Sequence, residues 1–378
     1  MSDSPIKRLT DSEVYWRDKQ PWLLSCGYQL RARYQPDWVP SWITNPPPNP
    51  HTGKWKREDF PRRGSAPVMD AIRLSDNVPV MLKEVYAESH PGNQELEVSL
   101  YVQSEEQRKD PDNHCVHVYE VLDIPGDEHN VIIVMPLLCP FDFPRFDTIG
   151  ECLDFFLQIF KGLRYLHRHH IAHRDCTGLN VMMDPSEILP YGFHPVRHRK
   201  NREFTGPAYQ KYTRTQRPPK YYWIDFGLSV RFHENDASPR VTGLRANDQS
   251  APELRGDDLR QQHDPFPTDI YYLGNLVRTY FTEGHPDYHS ITKKMGFEFM
   301  QPLVEVMVQE NPAKRPTIEQ CVVLLEEIVR SQSSCTLRSQ FWQMGDTYFG
   351  FLYRFFPHWI RRIIFIVTRT PAIPHRSD

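Results

Sequence analysis

The chain has 378 residues, 25% of them charged and 39% hydrophobic, with a formal net charge of −3. That near-neutral balance does not by itself point to a nucleic-acid or acidic partner, and the length suits about two domains or lobes with extensions. Proline is high, at 34 residues, and its clusters at 46–50 and 216–219 mark extended connections rather than helix or central strand.

Residues 1–64 form a preamble rich in tryptophan and proline with little periodicity. Its aromatic side chains are expected to dock on the folded body, because disordered tails are poor in such residues. From Ala66 the pattern changes. APVMDAIRL and VPVMLKEVY flank Ser75-Asp76-Asn77 and predict a hairpin closed by turn-favouring residues. A polar helix is expected over 92–108, then strands in VHVYEVL and VIIVMPLL. In 150–168, Leu153, Phe156, Ile159, Phe160, Leu163 and Leu166 recur at three- and four-residue steps, which gives a helix one apolar face. Further helices are expected at 268–281, 298–309 and 317–330, the last opened by the capping pair Thr317 and Gln320. The elements therefore divide into a small, mostly antiparallel lobe and a helical lobe.

The strongest chemical signal is His173-Arg174-Asp175-Cys176-Thr177-Gly178-Leu179-Asn180, followed by Asp225-Phe226-Gly227 in the apolar context YYWIDFGLS. Phosphoryl transfer requires metal ions on the phosphates and an acceptor for the hydroxyl proton. An Asp with an Asn five positions on matches HRDxxxxN, and a strand-borne DFG matches a second metal ligand. On these motifs the chain resembles the protein kinase superfamily. The resemblance implies an α+β, bilobal kinase-like fold with a small antiparallel β lobe carrying one helix (65–138) and a larger, mainly helical lobe (139–332). The preamble 1–64, a basic insert near 185–220 and a tail 333–378 stand outside that plan.

The resemblance also implies roles. Asp175 would be the catalytic base, Asn180 and Asp225 would bind Mg2+, and ATP would sit between the lobes. Val80-Met81-Leu82-Lys83 looks like the V-A-I-K strand, with Lys83 as the cation for the nucleotide phosphates. Glu97, in the helix after that strand, has the place and spacing of its carboxylate partner, and Glu95 is the alternative. Met135 would be the gatekeeper and Pro136-Leu137-Leu138 the hinge. Pro136 lacks an N–H, but the adenine contact at that position is a carbonyl, and Leu138 keeps both donor and acceptor. Ala251-Pro252-Glu253 matches the A-P-E that closes an activation segment, with Arg315 as the arginine that pairs with Glu253 and Asp269 as the aspartate that braces the catalytic loop. That segment favours protein substrates, phosphorylated on serine or threonine. Arg174 beside the base suggests readout of a phosphate on the segment, with Thr242 and then Ser238 as candidates.

The chain departs from the pattern in three places. Pro61-Arg62-Arg63-Gly64-Ser65-Ala66-Pro67 carries a single glycine where a glycine-rich loop is expected. Thr177 replaces the lysine aimed at the transferred phosphate, and Ala246 replaces the threonine that pairs with it. These changes motivate the alternative reading, a pseudokinase that acts as a binding scaffold with or without nucleotide. Between Asn180 and Asp225 the chain also carries an insert with eight Lys/Arg in 194–220 against Glu203 alone. A solvated loop is the plain reading of that run; an acidic or phosphorylated partner, or a nuclear signal in RHRKNR, is the functional one. No nucleic-acid module accompanies it. Preamble, insert and poor glycine loop together look like a group of kinase-like proteins from filamentous fungi, over most of residues 10–330.

Seven cysteines are odd in number, widely spaced and never in a CxxC pair, so neither a disulfide framework nor a zinc site is expected. The first residues have no apolar signal-peptide core, and Arg354, His358, Arg361 and Arg362 interrupt the most apolar run. A cytoplasmic or nuclear protein is expected. In the tail, aromatics alternate with arginines over 341–367, a pattern that can lie in a membrane interface. Pro357 is expected to break any single long helix there, and packing of the apolar residues against the helical lobe is the favoured arrangement.

Overall fold

The structure, a computed structural model, describes residues 9–46, 57–60, 67–89, 93–236, 238–243, 246–255 and 261–374. They divide into two compact units, and the division does not follow single cuts in the chain. The first unit takes the segments up to Glu88, His117–Cys139 and Leu189–Tyr209; the second takes Ser89–Val116, Pro140–Ile188 and the chain from Gln210 onward.

The first unit is built on a five-stranded antiparallel sheet. Its strands are β1 (Tyr28–Leu30), β2 (Val68–Arg73), β3 (Val78–Tyr86), β4 (Glu120–Asp123) and β5 (Asn130–Pro136), in the order β1-β2-β3-β5-β4. The expected hairpin forms, with Arg73 opposite Val78. Asn77 closes it at φ 61°, a conformation that asparagine tolerates better than most residues. Alternation along β3 buries Val80 and Leu82 on one face, where they join the same core cluster.

The preamble is part of this unit. Helix α1 (Asp11–Ser25) starts in a capping box between Thr10 and Glu13, and β1 adds a strand to the sheet edge. Trp16, Leu23, Tyr28 and Leu30 join Val80, Leu82, Ile132 and Val134 in one buried cluster. Arg33 is buried and bonds both carboxylate oxygens of Glu13, at 2.6 and 3.0 Å. Part of the insert belongs here as well: His194 Nε2 lies 3.2 Å from Glu58, which Arg31 also bonds at 2.8 Å.

The second unit is mainly helical. Helix α2 (Glu95–Tyr101) is shorter than the sequence pattern suggests. Helix α3 (Ile149–Arg168) matches its prediction, is capped by Thr148, and buries all six residues of the expected face. Gly162 in α3 allows a close approach, because a Cβ there would lie 2.9 Å from Trp223. The short strands β6 (Val181–Met183), directly after Asn180, and β7 (Tyr221–Trp223), just before Asp225, pair antiparallel. Helices α4 (Pro265–Val277), α5 (Gln301–Met307) and α6 (Ile318–Ser331) follow, and α6 begins in the predicted capping box of Thr317 and Gln320.

Two expectations need correction. Helix α7 (Tyr348–Val367) runs through Pro357 without ending. Proline removes one intrahelical bond, but the bonds on either side continue the helix past Pro357, which lies on its exposed side. In the insert, Arg214 is no surface charge. It is 1% exposed, donates to Tyr221 Oη and the Phe141 carbonyl at 2.8 Å and to the Pro144 carbonyl, and lies over the Phe146 ring. Beside it Thr215 bonds Glu151 through its N–H and hydroxyl. This arginine pins the returning end of the insert to the helical unit, whereas Arg197, Arg199, Lys200, Lys211, Arg217 and Lys220 are exposed.

Candidate active site

The catalytic loop is held by one buried carboxylate. Asp269, on α4 and fully buried, accepts the backbone N–H groups of His173 at 2.8 Å and Arg174 at 2.7 Å, and approaches His167 Nε2 at 3.0 Å. Those bonds hold Arg174 at φ 68°, a conformation that costs a non-glycine residue energy and persists only where its surroundings enforce it. The bracing role expected of Asp269 is thus visible as two short bonds.

His173 is fully buried. Its Nδ1 accepts from the Asp175 N–H at 3.3 Å, so Nε2 carries the proton toward the Ile224 carbonyl at 3.2 Å. Burial lowers its pKa, opposed by the nearby carboxylates of Asp269, Asp175 and Asp225. Its ring packs against Phe226 and Trp223, with centroids 5.5 and 5.2 Å away, which ties the loop to the DFG strand.

Asp175 is 5% exposed. Its carboxylate accepts from Asn180 Nδ2 at 2.8 Å, from the Asn247 N–H at 3.1 Å and from Asn247 Nδ2 at 2.7 Å. Burial raises its pKa, opposed by His173 and by the bonds from Asn247 and Asn180. Asn247 belongs to the activation segment, immediately after Ala246, and the sequence reading did not single it out. The only sequence signal was its neighbour, the alanine that replaces the expected threonine. The structure places an amide one position later, on the Asp175 carboxylate itself.

The strand leading to DFG is next to this pair, since the Ile224 N–H donates to the Asn180 carbonyl at 3.0 Å. Asp225 is left-handed, with φ 63° and ψ 76°, and its Oδ1 accepts from the Gly227 N–H at 3.3 Å. Of the two α2 carboxylates, Glu95 is buried and faces this turn; a Cβ on Gly227 would lie 3.3 Å from Glu95 Oε2. Glu97 is exposed. The remaining expected nucleotide residues lie in the sheet unit, where Lys83 faces Ile133 across β3 and β5, Met135 faces Met81, and Pro136 faces Val80. Lys83, Met135, Pro136 and Leu138 are all half-buried. The single-glycine segment lies outside the described residues except for Pro67.

The activation segment ends as expected. Arg315 grips Glu253 with two 2.7 Å bonds, its side chain fully buried over the Tyr271 ring, and Thr268 adds a hydroxyl bond at 2.7 Å. Burial would raise the Glu253 carboxyl, but Arg315 and Thr268 hold it below its usual value. Arg174 spends its guanidinium on main-chain carbonyls, Leu228 at 3.2 Å and Thr242 at 2.7 Å. The Thr242 and Ser238 side chains are exposed. Thr177 Oγ1 is buried with no hydrogen-bond partner among the described residues.

A sheet unit and a helical unit whose braced loop presents Asp175 and Asn180 beside a DFG turn define the α+β, bilobal protein kinase fold. The family model for the protein kinase domain matches residues 64–329, and the chain belongs to that family. A probable serine/threonine-protein kinase, ireA, of Dictyostelium discoideum is 26% identical over 179 residues, covering 44% of this chain and 14% of that protein. The dual specificity protein kinase zakA of the same organism is 30% identical over 146 residues, covering 38% and 15%. The serine/threonine-protein kinase polo of Drosophila melanogaster is 24% identical over 188 residues, covering 46% and 26%. The chain therefore spans only a minor part of the length of these relatives.

Proposed function

We propose that the chain transfers the γ-phosphate of Mg-ATP to serine or threonine hydroxyls of protein substrates. The observation that carries this is the Asp175 carboxylate, buried and oriented by amide donors from Asn180 and Asn247. A carboxylate so held can accept the hydroxyl proton as the nucleophile attacks, and its orientation requires no reorganisation at that moment.

The donor set also fits magnesium. Asn180 uses its Nδ2 on Asp175, which leaves the amide oxygen for a hard cation, and the Asp225 carboxylate is of the oxygen type that magnesium prefers. Bound magnesium would neutralise charge on the phosphates. Lys83 takes the role of phosphate cation, Glu95 or Glu97 that of its acidic partner, and Met135, Pro136 and Leu138 line the adenine site. The Glu253–Arg315 clamp supports a peptide-like substrate, as the A-P-E segment suggests. The finer likeness to kinase-like proteins of filamentous fungi belongs to the same proposal.

The rival reading is a scaffold. It is favoured by Thr177, which offers a buried hydroxyl where a lysine charge would face the transferred phosphate. Magnesium-dependent transfer of labelled phosphate from ATP to the protein and to a mixed basic substrate separates the two. Activity lost in both Asp175→Asn and Asp225→Ala supports the enzyme. No transfer by a well-folded wild type supports the scaffold.

A further inference from the structure

An amphipathic helix on the surface of a water-soluble protein ordinarily turns its apolar stripe inward and its charges outward. Helix α7 does the reverse. Phe356, Trp359, Ile360, Ile363, Ile366 and Val367 are exposed, Phe356 at 65% and Val367 at 76%. At 100° per residue they fall within an arc of about 120°. The packing expected of these residues against the helical unit is not what holds the helix.

The opposite side of the helix is the one that is held. Arg361 bonds both oxygens of Asp147, at 3.0 and 2.9 Å, and Arg354 pairs with Asp346 at 2.8 Å. His358 and Phe365 are buried on that side. Past the helix, Arg338 donates to the Thr370 carbonyl at 2.5 Å, and the Ala372 carbonyl occupies the space a side chain at Gly150 would need. The helix is thus fastened through its basic side, with its greasy side presented to the surroundings.

We propose that α7 is a membrane-interface anchor that seats this face in a bilayer rich in anionic lipids. Charge complementarity selects that occupant. No Asp or Glu occurs between Asp346 and Asp378, while Arg354, Arg361, Arg362, Arg369 and Arg376 do. Arg362 falls on one flank of the apolar arc and Arg369 follows just past the end of the helix, where guanidinium groups reach lipid phosphates once the stripe is immersed. Trp359 and Phe356 are residues suited to the headgroup boundary. The helix lies on the membrane rather than crossing it, since no helix among the described residues is long and apolar enough to span.

The test is co-sedimentation of the full chain with vesicles of phosphatidylcholine alone or with about 30% phosphatidylserine, read at low and high salt. The wild type should bind the phosphatidylserine vesicles, and salt should weaken the binding. The Ile360→Asp/Ile363→Asp variant should lose at least about tenfold in partitioning. Arg362→Gln/Arg369→Gln should lose most of the preference for phosphatidylserine. Because these positions are on the surface, melting temperatures should stay near wild type. Quenching of tryptophan emission by brominated lipid, removed by Trp359→Phe, gives an independent reading of depth. Two results would overturn the proposal: no vesicle binding by the wild type, or a lipid-free dimer that Ile360→Asp/Ile363→Asp converts to monomer. The second would make this face a contact between copies.

Discussion

Asn247→Ala removes the 2.7 Å bond from Nδ2 to Asp175 while leaving the backbone bond at 3.1 Å and the Asn180 bond at 2.8 Å. A hydrogen bond to an ionised group contributes about 1.5–3 kcal/mol. Asn247 is exposed, so the lower end applies, about 1.5 kcal/mol or close to one pKa unit. Asn247 donates to the carboxylate, the charged form, so losing it raises the Asp175 pKa further above its usual value. The acid limb of the kcat/KM profile should move about one unit to higher pH, and kcat below that limb should fall about tenfold. Asn247→Asp, which sets a like charge against Asp175, should move the limb further the same way. The assay is a pH series of magnesium-dependent peptide phosphorylation, with circular dichroism to verify folding. An unmoved limb with kcat within about twofold of wild type would refute the argument that this amide tunes the base.

Burial pushes Asp154 up to about 7, opposed by the bond from Gln158. Between its ordinary value of 3.8 and that value, the folded chain holds a proton that the unfolded chain has lost, so stability falls as pH rises through that window. Asp154→Asn should therefore come close to wild type near pH 4 and exceed it by roughly 4 kcal/mol at pH 8, read from melting temperatures at the two pH values. Arg214→Ala leaves buried acceptors on Phe141, Pro144 and Tyr221 and should cost about 3–5 kcal/mol. Arg199→Ala, at an exposed insert position, should stay within about 0.5 kcal/mol in the same denaturation experiment. Glu95→Gln should lower kcat/KM by about tenfold or more and Glu97→Gln by less than about twofold, because only the first is a buried carboxylate; equal effects in steady-state kinetics would contradict the assignment.

The sequence was most legible where function is carried by residues adjacent in the chain or at fixed offsets. His173 through Asn180, the DFG turn, Glu253 with Arg315, and the Asp269 brace could all be named from motifs, and the apolar period of α3 placed that helix to within a residue. Side-chain direction was less legible. Glu95 and Glu97 are about 200° apart around a helix, and only the position of the DFG turn shows which one faces inward. Arg214 reads as a solvated charge in a basic run, because nothing local reveals that Phe141, Pro144 and Tyr221 converge on it. The tail's amphipathic pattern was visible, yet which face points outward depends on Asp147, some 200 residues earlier in the chain. The preamble's aromatics suggested docking, but the sheet strand they bring is too short to produce a periodic signal.

That strand bears on where a fragment able to fold should begin. The family match begins at residue 64, yet Trp16, Leu23, Tyr28 and Leu30 pack in the same cluster as Val80, Leu82 and Val134. Each such side chain contributes about 1.5–3 kcal/mol when buried, so together they rival the whole margin of about 5–15 kcal/mol that holds a domain folded. A protease that clips between the preamble and β2 would leave the two pieces associated. A polypeptide that starts at residue 64 would expose the flank those side chains cover, and it would gather into aggregates unless the missing piece were supplied in trans.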